Sequence, residues 1–310
     1  MQETPWRDLS TQPMIRASDA TLRCRGSVPW NWAAMNDGRH GFLPMAAMAV
    51  TCLLWGTMVP FTAELFATMN PLFFSALRYP LGVGAMCLLV LLVERRLFHP
   101  APVPVLKVLA LGGFGMAGWG TLYVIGVYLT DAITASAVLA TGPVVAALVG
   151  RVLTGEKLQP RVMVGIALAV AGGITVALGR DGGAGGFKGG EIVLVIALAC
   201  WAWYSTQAQR WLAPLGLSQV RLTLWTLSSA LLWVEAIYFA AWGLGLAPPP
   251  AGPTGAVEWA MMIWIGFGAT GLAIWFWNYG ASRLGTTIAT VNINLVPVIA
   301  VATAMALGRM

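Results

Sequence analysis

GVYLTDAITASAVLATGP, running from Gly126 to Pro143, lines up without a gap against GASRLGTTIATVNINLVP, running from Gly280 to Pro297. The two share one offset, because 280 − 126 and 297 − 143 are both 154. A Val/Ala run follows each proline. A duplicated unit accounts for this spacing, and the fold follows from what that unit is made of.

The unit is made of membrane spans. The chain has 310 residues, of which 58% are hydrophobic and 10% charged, with mean hydropathy +0.75. A soluble globule of that length needs roughly a quarter of its residues charged, so lipid must be the outer solvent. Crossing a hydrocarbon core of roughly 30 Å takes about twenty mostly apolar residues at about 1.5 Å each. Nine stretches qualify: Phe42–Phe61, Leu72–Val93, Pro104–Val127, Ile133–Leu153, Val162–Leu178, Glu191–Trp211, Leu222–Trp242, Trp259–Ala281 and Thr287–Leu307. The fourth and fifth are split by a short turn around Gly155, Glu156 and Lys157, which makes them antiparallel neighbours.

Orientation follows from the basic residues. With the N-terminus cytoplasmic, the cytoplasmic segments hold fourteen Lys and Arg against three outside (Arg180, Lys188, Arg309), and Arg78 lies within a span. That asymmetry is the positive-inside pattern. By parity the fourth span then runs outward to inward and the ninth inward to outward, so the repeats are inverted, the arrangement used for alternating access. Duplication kept only for packing symmetry is the competing reading. Residues 1–41 carry five Arg and no apolar core, which reads as a cytoplasmic tail with disordered composition rather than a cleavable signal. Cys24, Cys52, Cys87 and Cys200 contain no CxxC pair, and neither a disulfide framework nor a metal site follows from them.

The residues also carry a resemblance. Leu54-Trp55-Gly56-Thr57 in the first span, Asn70-Pro71 with Arg78 in the second, Pro143 followed by Gly155-Glu156, and Gly165 with Ala171-Gly172-Gly173 resemble the EamA domain of the drug/metabolite transporter superfamily. The second half is similar in Trp203-Tyr204, Asn278-Tyr279 and Pro297. The resemblance implies an all-α polytopic membrane fold of two inverted five-helix repeats, here 42–180 and 181–310. It also implies ten spans, cytoplasmic termini, and export or exchange of amino acids, other metabolites or amphiphilic drugs. One departure stands out. Only thirteen residues follow Pro297, so the counterpart of the fifth span is missing and about nine of ten spans are expected. A deletion, an incomplete reading frame and a natural nine-span variant each explain that.

Polar and aromatic residues at membrane depth are the candidate site. Trp119 and Tyr123 share a face of the third span; in the sixth, Trp201, Tyr204 and Ala208 form one stripe, with Trp203 and Gln207 on another. Trp275 and Asn278 lie three apart in the eighth. Together they suit an aromatic-lined cavity with a few hydrogen-bonding groups, although Trp and Tyr also form interfacial belts. Asn292 and Asn294 replace Val138 and Ala140 of the first repeat. About 200° apart on a helix, they cannot both face one ligand, so one contacts substrate and the other a neighbouring helix, or both bond between helices. Arg78 and Glu235 lie at similar depth, roughly 10 Å in, and are expected to pair, or to belong to an external gate; snorkelling of Arg78 to outer water is the alternative. Gly112, Gly113, Gly115, Gly118 and Gly120, and Gly266, Gly268 and Gly271, permit close helix approach. Pro60, Pro143 and Pro297 are candidate hinges.

These readings select a secondary transporter of small organic molecules in a cytoplasmic membrane, with lipid and substrate as partners. Nucleic acid, metal and cofactor are not expected, and the assembly is a monomer or homodimer. No Walker loop supports a primary pump, and no HExxH or Gly-x-Ser-x-Gly set supports an intramembrane enzyme. His40 and His99 lie near the cytoplasmic surface. A non-transporting scaffold or sensor remains the other class.

Overall fold

A computed structural model describes residues 41–97, 103–130, 132–155 and 189–308, with 163, 164 and 167. Ten helices are described: α1 (Phe42–Leu65), α2 (Pro71–Glu94), α3 (Val105–Leu129), α4 (Ala132–Leu139), α5 (Gly142–Thr154), α6 (Gly190–Leu212), α7 (Gln219–Gly243), α8 (Ala256–Leu284), α9 (Thr286–Ile293) and α10 (Val296–Ala306). There is no strand among the described residues. Seven helical stretches are long and apolar enough to cross a membrane, and Gly142–Thr154 is a shorter apolar helix. The protein is therefore an all-α, multi-pass integral membrane protein. The expected cytoplasmic tail, up to residue 40, and nearly all of the fifth expected span, Val162–Leu178, fall outside the described residues.

Local chemistry sets the helix ends. Asn70 caps α2, its side-chain oxygen accepting from the Leu72 and Phe73 amides at 3.0 and 3.3 Å, and Pro71 stands at the first helical position, where its missing N–H costs nothing. Ser218 caps α7 through the Arg221 amide at 3.1 Å. Gly155 closes α5 at φ 72°, a conformation that Cβ-bearing residues avoid.

Two expected spans are broken rather than continuous. The fourth is divided between α4 and α5 at Ala140 and Thr141, and the ninth between α9 and α10 at Asn294 and Leu295. The cause is the shared proline. Pro143 and Pro297 lack an N–H, and their rings crowd the carbonyls four residues back, which belong to Leu139 and Ile293, the last residues of α4 and α9. The breaks coincide under the sequence offset, since 286 − 132, 293 − 139 and 296 − 142 are all 154. Pro143 and Pro297 thus begin new helices, whereas Pro60 lies within unbroken α1.

A second shared irregularity lies in α3 and α8. Each changes to π winding, over Leu111–Ala117 and Trp264–Leu272, where the Gly118 amide reaches the Gly113 carbonyl and the Ala273 amide that of Gly268. Single π turns often mark functional sites. Leu111 and Ile265 are again 154 apart. Both segments offer a carbonyl to an aromatic donor on another helix: Tyr79 Oη donates to Met116 at 3.3 Å and Trp55 Nε1 to Ala269 at 2.9 Å. In lipid those carbonyls need such internal partners.

Helices of the two halves interleave. α2 packs on the π segment of α8 and on α7, α3 packs on α6 and α7, and α1 packs on α8 and α10. α5 lies against α6 and α9, so the two proline-broken spans touch. α10 is peripheral, with no buried residue, and its Ile299 sits against Gly56 of α1.

Candidate functional site: an aromatic cavity between the two halves

Trp55, Trp119 and Trp201 each lie near the middle of a long helix, and their rings meet. Trp55 and Trp201 are 5.6 Å apart edge to face, and Trp119 and Trp201 5.1 Å apart at 46°. Trp201 also contacts Tyr204 at 5.3 Å and Trp277 at 5.6 Å, making it the hub of the cluster. These three tryptophans wall a cavity closed by Met58, Tyr79, Met116, Ala269 and Ile274, with Arg78 and Thr270 as its further polar members. Met116 and Thr270 stand 154 apart, one on each π segment, and both border this space. The atom-free space is about 320 Å³. As the side chains stand, it admits about one water molecule.

A second space of about 350 Å³ lies at the helix breaks, lined by Leu139, Gly142, Pro143, Thr290, Ile293 and Asn294 among others. Trp201 borders both cavities.

Residues 43–178 match the EamA-like transporter family, which places the match on the half that supplies Trp55, Arg78, Tyr79, Met116 and Trp119. Those residues form an EamA-like domain. It is also 21% identical over 242 residues to "Uncharacterized transporter YyaM" of Bacillus subtilis (strain 168), covering 76% of each chain. A crystal structure described only as that of a protein shares the fold at TM-score 0.66 and 22% identity, over 86% of this chain and 88% of that one. The EamA-like domain and the transporter relative together support a transporter of the drug/metabolite type.

The sequence candidates distribute unevenly over this EamA fold. Trp119 and Trp201 line the tryptophan cavity, and Tyr123 stacks behind Trp119 at 5.4 Å. Tyr204 and Asn278 are fully buried and spent on each other. Asn278 Nδ2 donates to Tyr204 Oη and Thr223 Oγ1, each at 2.9 Å, and Tyr204 Oη lies 3.2 Å from Thr226 Oγ1. That network stitches α6, α7 and α8 behind the cavity wall. Trp275 stacks on its neighbour Phe276 at 4.5 Å, and Gln207 is buried; neither lines the two cavities described. Asn292 donates to the Ile288 carbonyl of its own helix at 2.8 Å, while Asn294, at the break, lines the second cavity.

Arg78 and Glu235 do not pair. Arg78 is 4% exposed, its guanidinium carbon 5.1 Å from the Tyr79 ring centroid and 5.8 Å from that of Phe74. It points toward α3, where a Cβ on Gly120 would stand 3.2 Å from Nη2 and 3.0 Å from Tyr79 Oη. The buried ion pair joins Arg221 to Glu94 instead, with Arg221 also donating to the Arg96 and Leu97 carbonyls, at the expected cytoplasmic ends of α2 and α7.

Sequence reasoning missed Trp55, Tyr79, Met116 and Thr270 as cavity residues. Trp55 was visible within Leu54-Trp55-Gly56-Thr57, and Met116 and Thr270 within the glycine-rich stretches, whose π winding turns them toward one space.

Proposed function

We propose that the chain is a secondary transporter that moves a small organic molecule through the tryptophan-lined cavity by alternating access, as an exporter or exchanger. The observation that carries this reading is the pairing of Met116 with Thr270. Repeat-equivalent residues from the two halves face one space at mid-helix, which is the geometry inverted repeats need to expose a single site to either side in turn. The small free volume fits an occluded arrangement, with Trp55, Trp119 and Trp201 parting to admit cargo. Pro143 and Pro297, at the breaks between α4 and α5 and between α9 and α10, supply matched points of flexure. Residues 42–180 and 181–310 act as the two repeats, with the N-terminus cytoplasmic.

The test is counterflow in proteoliposomes, preloaded in parallel with aromatic carboxylates, amino acids and cationic drugs. Accumulation of the matching labelled compound, abolished by Trp201→Ala, is the expected result. A folded protein that accumulates none of them contradicts transport and favours a scaffold or sensor.

A further inference from the structure

Two buried polar atoms in the tryptophan cavity have no partner. Arg78 Nε comes from α2 and Thr270 Oγ1 from the π segment of α8; the residues are 4% and 2% exposed. Two other donors of the wall are used: Trp55 Nε1 serves the Ala269 carbonyl and Tyr79 Oη the Met116 carbonyl. Arg78 is permanently charged. The rings of Phe74 and Tyr79 beside it give it polarisable company and no counter-charge. None of the residues lining the cavity is Asp or Glu.

An uncompensated guanidinium at membrane depth is costly, and such residues mark cargo pathways more often than packing. Its planar edge matches a carboxylate, accepting two parallel hydrogen bonds, and the strength of that contact rises where water is excluded. A cation in the same space would face the Arg78 charge across a low-dielectric gap, with no acid on the wall to offset it. The rest of the wall is indole, phenol and thioether, suited to a flat apolar body.

We infer that the cargo is an organic monoanion: a carboxylate held on the Nε edge of Arg78 with the Thr270 hydroxyl as a second donor, and an apolar, preferably aromatic, body among Trp55, Trp119 and Trp201. This rests on the cavity being the cargo site, as proposed above. It favours simple carboxylates over zwitterions and organic cations.

Four compounds with one phenyl body separate the head groups: phenylacetate, phenylalanine, phenethylamine and 2-phenylethanol. Binding of labelled phenylacetate to the full chain in detergent, with the other three as competitors, needs no flux. Phenylacetate is expected to bind at millimolar concentration or below and to outcompete each of the others by about tenfold or more. Arg78→Gln should weaken it by about tenfold or more, Arg78→Lys by less, and Thr270→Val by about three- to tenfold. Thr270→Val preserves shape and serves if Arg78→Gln does not fold. Equal or better binding of phenethylamine or phenylalanine overturns the inference, as does unaltered phenylacetate binding in Arg78→Gln or Thr270→Val, or no phenylacetate binding at all. Phenylacetate bound but not moved in counterflow defeats the transporter reading and leaves the anion site standing. Flux of a cation through the same cavity does the reverse.

Discussion

Gly112 of α3 and Gly266 of α8 stand 154 residues apart, at matching places in the two π segments, and each seats a helix directly on its backbone. A Cβ on Gly112 would lie 2.3 Å from Ser229 Oγ and 2.6 Å from the Ala230 amide nitrogen; on Gly266 it would lie 2.4 Å from Leu81 Cβ. These contacts fix α7 and α2 against the π segments, and so fix the wall that carries Arg78. Gly112→Ala and Gly266→Ala should each cost about 1–3 kcal/mol through overpacking. Gly84→Ala, in a helix with open space around it, should be neutral or slightly stabilising. Thermal melting in detergent checks this; equal melting temperatures for all three variants would remove the close-packing argument.

Asn278 separates the structural network from the cargo wall. Asn278→Ala takes one hydrogen bond each from Tyr204 Oη and Thr223 Oγ1, leaving them Thr226 Oγ1 and the Gln219 carbonyl, and should cost about 1–3 kcal/mol of stability. Cargo affinity should change by less than about threefold. Trp201→Phe keeps a ring at the hub and should preserve most transport, while Trp201→Ala should abolish it. Paired melting curves and binding isotherms distinguish the two residues. A large affinity loss in a stably folded Asn278→Ala would return that amide to the cargo site.

Arg221 and Glu94 form a buried pair whose members have 1% and 18% of their side chains exposed. Glu94→Gln leaves the Arg221 guanidinium without its counter-ion, which should destabilise the fold by about 3–5 kcal/mol. Replacing both by apolar residues of similar size should recover much of that loss. Melting of the single and double variants tests it, and an unaffected Glu94→Gln would show the pair to be dispensable.

The spans were legible in the sequence because lipid imposes a length and a composition that the apolar runs from Phe42 onward satisfy. The matched helix breaks were prefigured by Pro143 and Pro297, which share a gapless offset. Less was visible in the site. Trp119 and Trp201 announced themselves as aromatic residues at depth, but a single helix does not reveal that Tyr204 and Asn278 meet across α6 and α8, nor that Arg78 turns toward Gly120 and away from Glu235. The breaks at Ala140–Thr141 and Asn294–Leu295 follow from prolines that were read as hinges within continuous spans. The glycine-rich signature of Leu111–Ala117 and Trp264–Leu272 points to close approach and local flexing and does not spell out the π winding, in which Thr270 lies where it lines the cavity.

Met116→Cys and Thr270→Cys, each in a background with the native cysteines replaced, give the most direct measurement of the shared cavity. Sealed vesicles of both orientations are treated with a membrane-impermeant thiol reagent. If one space between the repeats opens to each side in turn, both positions react from either side at comparable rates, and bound cargo slows both. Reaction from one side only, or at one position and not its repeat partner, would contradict alternating access through this cavity.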